Sequence, residues 1–136
     1  MKKVRKKILV VDDHPITHRL LEKVLKSQGF DLISVFDGIS AVFKAKEEHP
    51  DLILLDVMLP ELGGHEVARR LKADPLTRDI PVVFVTNTLS KKEDKAQKEI
   101  IVDGVAYPAF AKPLYYLKLL SMIRKAIKQR EKKEGG

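Results

Sequence analysis

The sequence predicts an α/β protein: a doubly wound, five-stranded parallel sheet with helices alternating between the strands. Two observations carry this expectation. Short apolar runs stop abruptly at polar residues, 8–11 at Asp12, 52–55 at Asp56 and 81–85 at Thr86, and continuous apolar runs of this length suit strands buried on both faces. Segments with helical spacing separate the runs, and strand-helix alternation calls for right-handed crossovers into one open sheet.

The first strand is residues 8–11. A helix over 15–28 follows, with Ile16, Leu20, Leu21, Val24 and Leu25 on one face and Gly29 as its stop. Residues 32–36 form a weaker strand, and 40–48 a helix closed by Pro50. The third strand, 52–55, leads to a helix over 64–73. The fourth, 81–85, leads to a less regular helix from Lys91 to about Ile101. Residues 106–111 are the last strand, and Leu117, Leu120, Ile123 and Ile127 give the fifth helix its apolar stripe.

A chain of 136 residues with 44% hydrophobic composition can bury one substantial core. The expected organisation is a basic N-terminal tail over 1–6, a domain over 7–128 and a charged C-terminal tail over 129–136. No stretch approaches the roughly 20 apolar residues of a membrane span, and no cleavable leader is visible, so a cytoplasmic protein is expected. The chain has no cysteine, which excludes disulfides and thiolate chemistry. Much of its net charge of +7 lies near the two ends, without interleaved stacking aromatics, so nucleic-acid binding is the weaker reading of that charge.

Doubly wound sheets bind ligands at the carboxyl ends of their strands, close to where strand order reverses. The residues at those ends are Asp12 and Asp13, Asp56, Thr86 and Lys112. Singly each has an ordinary explanation, Asp13 as a helix cap before Pro15 and Asp56 as a strand-terminating acid. Together they make a site. Three carboxylates at one sheet edge repel one another unless they share a cation. Ligation by oxygen alone suits magnesium, with manganese as a substitute. Lys112 adds a fixed positive charge and Thr86 a hydroxyl donor, groups able to neutralise a phosphoryl group in transit to the Asp56 carboxylate, with an acyl phosphate as product.

The ordered set Val10-Val11-Asp12-Asp13, Asp56-Val57-Met58-Leu59-Pro60 followed by Gly64 and Glu66, Val85-Thr86 and Lys112-Pro113 resembles the receiver domain of two-component response regulators, from about Lys7 to Lys128. The likeness implies a flavodoxin-like (βα)5 three-layer sandwich of the single-domain chemotaxis type. It implies phosphorylation of Asp56 from a phosphohistidine on a sensor histidine kinase or phosphotransfer protein, and a magnesium ion held by Asp13, Asp56 and the backbone carbonyl of Met58. Asp12 would act mainly through water, Lys112 would pair with the phosphoryl oxygens, and Thr86 would move inward to bind the phosphate. Pro113 would follow a cis peptide bond. Output would pass through the face of the fourth helix, fifth strand and fifth helix to an effector protein or a fused output domain.

Two positions and one segment length depart from the pattern. Asn87 is bulkier than the small residue expected after Thr86, the segment from Thr86 to Lys112 is longer than usual, and Ala109 stands where an aromatic switch residue is expected. Tyr107 and Phe110 lie near but out of register, so a bulge or a longer fourth helix would have to re-align one of them. A receiver that binds partners without phosphate is the competing reading. An aspartyl-phosphate hydrolase of similar architecture would need a second acid two residues beyond the nucleophile, where Met58 stands. His14 and His18, one helical turn apart, make half a zinc site for which no third ligand has suitable spacing.

Overall fold

The computed structural model describes residues 5–86, 98–112 and 116–135. The β-branched and leucine-rich runs form β1 (Lys6–Val11), β2 (Phe30–Val35), β3 (Leu52–Leu55), β4 (Val82–Thr86), β5 (Lys98–Val102) and β6 (Val105–Ala111). Between and after them lie α1 (Pro15–Ser27), α2 (Gly38–Glu48), α3 (Gly64–Ala73) and α4 (Tyr116–Gly135). These strands join one sheet in the order β2-β1-β3-β4-β6-β5. Every pairing is parallel except that of β5 with β6. This is the mostly parallel, doubly wound fold with alternating helices that the sequence predicts, and strand order reverses between β1 and β3.

The sheet is the middle of three layers. On one face Leu9, Val11, Ile53, Leu55 and Phe84 pack with Ala41 and Ala45 of α2 and Val67, Ala68 and Leu71 of α3. On the other, Ile8, Val10, Leu52, Leu54, Val83 and Val85 meet Leu21 and Leu25 of α1 and Leu119, Leu120, Ile123 and Ile127 of α4. Successive residues of β1 and β3 thus enter opposite cores, which is why those strands read as unbroken apolar runs. No helix among the described residues is long and apolar enough to cross a membrane.

The helix ends follow local chemistry. Helix α2 starts two residues earlier than expected because the Asp37 carboxylate accepts from the Ser40 backbone N–H at 2.7 Å. Helix α1 has His14, not Asp13, at its N-cap position, with no side-chain capping bond, so Asp13 does not perform the structural duty that an isolated aspartate there would suggest. Gly29, at φ +90°, makes the left-handed turn that ends α1.

The largest departure lies before the last parallel strand. The helix expected from Lys91 to about Ile101 is absent over its final residues: Lys98–Val102 is an antiparallel strand, and residues 91–97 lie outside the described residues. Among the described residues the sheet therefore has six strands, not five. Val102 pairs with Val105 across Asp103 and Gly104, both at positive φ, the arrangement of a two-residue type I′ hairpin. Asp-Gly between β-branched residues is the strongest short-range hairpin signal, and the sequence carries it. The apolar stripes also shift. Leu119 rather than Leu117 joins the core from α4, while Leu117, Ile16 and Leu20 are exposed.

Candidate functional site

The carboxyl ends of β1, β3, β4 and β6 lie side by side, so the residues at those ends gather at one edge of the sheet. Asp56 immediately follows β3, and its N–H donates to Val11 O at 3.0 Å, which ties it to the end of β1. Asp12 and Asp56 are almost fully buried, whereas Asp13 opens toward solvent. Lys112, one residue beyond β6, extends its ammonium group between the two buried carboxylates, 2.5 Å from Asp12 Oδ2 and 3.2 Å from Asp56 Oδ2.

Each oxygen of Asp12 is engaged. Oδ2 accepts from Lys112, while Oδ1 accepts from the His14 backbone N–H at 2.8 Å and lies 3.0 Å from His14 Nδ1. Asp56 Oδ1 accepts from the Met58 backbone N–H at 3.1 Å. Burial alone would disfavour the charged form of Asp12, but the hydrogen bonds from Lys112 and His14 outweigh it and hold the carboxyl below the usual carboxylate range. Burial likewise works against the Lys112 ammonium, and the hydrogen bond to Asp12 with the charge of Asp56 overcomes it, raising the lysine.

The donor set fits a divalent cation. Ligand atoms of Asp12, Asp13, His14 and Asp56 all lie within 4.8 Å of one another. Three formal negative charges against the one positive charge of Lys112 leave two uncompensated, the charge of one divalent ion. Asp13 Oδ1 and Asp56 would offer it hard oxygens. The expectation of oxygen ligands alone leaves out His14, whose imidazole faces this cluster; its place directly after the Asp12-Asp13 pair is the available signal. His18 turns the other way. Its Nε2 donates to the Asp12 backbone carbonyl at 2.7 Å and its Nδ1 meets Ser34 Oγ at 2.9 Å, so the two histidines do not share a site.

Two glycines allow the close approaches. A Cβ on Gly64 would lie 2.3 Å from the Asp56 carbonyl oxygen, and one on Gly38 would lie 2.3 Å from that of Leu62. Thr86 ends β4 opposite Ala111. Its side chain, Asn87 and the peptide bond before Pro113 lie outside what is described. Strand β6 pairs regularly with β4, setting Phe84 against Ala109 and Val85 against Phe110. No bulge re-aligns an aromatic where β6 pairs with β4, and residues 87–97, over which a longer fourth helix would fall, lie outside the described residues. Ala109 is buried at its expected place, and Tyr107 is buried edge-on to Phe84, with ring centroids 5.7 Å apart.

A carboxylate trio beside one lysine lies at the switch point of a flavodoxin-like sheet, and the fold is that of a signalling domain. Residues 8–124 match the family model of the response regulator receiver domain, and the chain belongs to that family. It is 39% identical to the response regulator PleD of Caulobacter vibrioides over 118 residues, which is 87% of this chain and 25% of PleD. The chain thus spans about a quarter of that relative. It is 33% identical to the polar-differentiation response regulator DivK of Brucella ovis, over 88% of this chain and 94% of DivK. Among solved structures, it resembles the receiver domain of sensor histidine kinase PA1611 from Pseudomonas aeruginosa PAO1, which has a magnesium ion coordinated in its active site cleft. That likeness has a TM-score of 0.78 and 27% identity, over 92% of this chain and 99% of the other. The N-terminal domain of a receiver protein from Methanoculleus marisnigri JR1 matches with a TM-score of 0.66 and 32% identity, over 88% and 94% of the two chains.

Proposed function

We propose that this receiver domain accepts a phosphoryl group on Asp56 from a phosphohistidine of a sensor histidine kinase or phosphotransfer protein in the cytoplasm. A carboxylate oxygen of Asp56 attacks phosphorus, the phosphorus–nitrogen bond of the donor breaks, and an acyl phosphate forms. The observation that carries this reading is the Lys112 ammonium bridging Asp12 and Asp56. It holds a fixed positive charge beside the nucleophile, where oxygens of the phosphoryl group gain negative charge.

Asp13, Asp56 and the Met58 backbone carbonyl are the residues to hold magnesium, or manganese in its place. Asp12 contributes through water, since both its oxygens already have partners. When bound, the ion neutralises charge on the transferring phosphoryl oxygens. Thr86 supplies a hydroxyl to the phosphate from the end of β4. With Ala109 in the usual aromatic position, the signal leaves through the hairpin of β5 and β6 instead of a swinging ring, toward an effector protein or an output domain.

Incubation with magnesium and acetyl phosphate, or with beryllofluoride, tests the reading by intact mass and NMR. The expected result is one adduct in the native chain and none in Asp56→Asn. No adduct in the native chain would favour a receiver that binds its partners without phosphate, and an adduct surviving Asp56→Asn would refute the assigned nucleophile.

A further inference from the structure

We propose that His14 Nδ1 is a direct ligand of the divalent ion, so that the site is a mixed nitrogen and oxygen site preferring borderline transition-metal ions, Mn2+, Co2+ or Ni2+, over Mg2+. The inference rests on the cation site described under Proposed function and adds to it a residue and a selectivity.

The geometry points to this role in three ways. His14 Nδ1 lies 3.0 Å from Asp12 Oδ1 and 3.1 Å from Asp13 Oδ1. Adjacent ligands of an octahedral ion with bonds of about 2.1 Å are spaced about 3.0 Å apart, so the nitrogen and the Asp13 oxygen already stand at the separation of neighbouring ligands. The loop also aims the ring: the His14 backbone N–H donates to Asp12 Oδ1 at 2.8 Å, which folds residues 12–14 back on themselves and turns the imidazole toward the carboxylates. Finally, the ring's polar partners are the carboxylates of the site itself, Asp12 and Asp13. Its side chain is 61% exposed, whereas His18 is buried and bound to Asp12 O and Ser34 Oγ.

Chemistry then sets the preference. Mg2+ favours oxygen ligands and sheds its waters reluctantly, so an imidazole gains it little. First-row transition ions bind imidazole well and strengthen along the series from Mn2+ to Ni2+. A nitrogen contributed by His14 therefore raises the affinity for these ions while leaving that for Mg2+ almost unchanged.

The test uses the full chain loaded with Mn2+, studied by electron spin-echo envelope modulation, with Mn2+, Co2+ and Mg2+ affinities measured by calorimetry. The native complex should show the coupling of a directly bound imidazole nitrogen. That coupling should change on selective 15N-histidine labelling and vanish in His14→Phe. In the same variant, Co2+ affinity should fall at least about tenfold relative to Mg2+, a loss that even outer partners of metal ligands can incur. A native Mn2+ complex without histidine nitrogen coupling, or a His14→Phe variant with an unaltered ratio of Co2+ to Mg2+ affinity, would overturn the role of His14 and leave the carboxylate site standing. Failure of the native chain to bind any of the three ions would overturn the cation site itself, and the proposal with it.

Discussion

Gly64 at the start of α3 packs so closely on Asp56 that a Cβ at residue 64 would fall 2.3 Å from the Asp56 carbonyl oxygen and 2.8 Å from Val57 Cα. The obstacles are backbone atoms beside the proposed nucleophile, and they cannot rotate away. Gly64→Ala should therefore destabilise the protein by about 1–3 kcal/mol, the usual cost of overpacking, and slow adduct formation with beryllofluoride. Gly63→Ala is the internal comparison, because its Cβ would come no closer than 3.6 Å to Val57 O. Urea denaturation of the two variants should rank Gly64→Ala well below Gly63→Ala.

Lys112→Met removes the cation between two buried carboxylates. Stranding a buried charge costs about 3 kcal/mol or more, so a large loss of stability is expected in metal-free buffer. Mg2+ should return part of it, because the ion replaces the missing positive charge. Thermal melts with and without Mg2+ should show a larger upward shift in Lys112→Met than in the native chain.

The pH dependence follows from the direction of two shifts. The Asp12 carboxyl sits below its ordinary value of 3.8 in the folded state, so it stabilises the fold above that value and the contribution disappears as pH falls through the depressed folded value. Lys112 sits above its ordinary 10.5, so its contribution is complete below that value and is lost as pH rises through the raised one. Urea midpoints measured from neutral pH down through the acid range should fall more steeply for the native chain than for Asp12→Asn.

His18 holds the loop after β1 from beneath through the Asp12 carbonyl and Ser34. His18→Leu leaves that carbonyl without its partner and should cost about 1–3 kcal/mol. His18→Gln retains a donor and should recover part of the loss in chemical denaturation.

The hairpin between β5 and β6 depends on Gly104, at φ +80°, where an added Cβ would meet nothing within 4 Å. Gly104→Ala should thus cost only the backbone strain, about 1 kcal/mol. Asp103→Ala should add the loss of the Arg69 ion pair at 2.7 Å, a small effect because both groups are exposed. Amide exchange across residues 98–111 would report both.

Much of the sheet is legible in the chain because burial on both faces leaves an unmistakable apolar run, as at 8–11 and 52–55, and each run ends where polar chemistry begins. Asp12, Asp13, Asp56, Thr86 and Lys112 stand out for the same reason: they occupy strand ends, and the topology of a doubly wound sheet brings such ends together. The charged run Lys91-Lys92-Glu93-Asp94-Lys95 suggests a helix before β6, but the β-branched run Ile100-Ile101-Val102 and the Asp103-Gly104 turn after it signal the hairpin that forms instead. Local pattern does not decide which histidine enters the site. His14 and His18 are alike in sequence, and only the packing of α1 on the sheet buries the second against Ser34 and leaves the first facing the carboxylates. Sequence by itself therefore determined the sheet and its carboxylate-lysine set, through burial and periodicity. Tertiary structure decided the sixth strand, the interlock of Gly64 with Asp56 and the orientation of His14, because each depends on how a turn is seated against its neighbours, which apolar periodicity does not record.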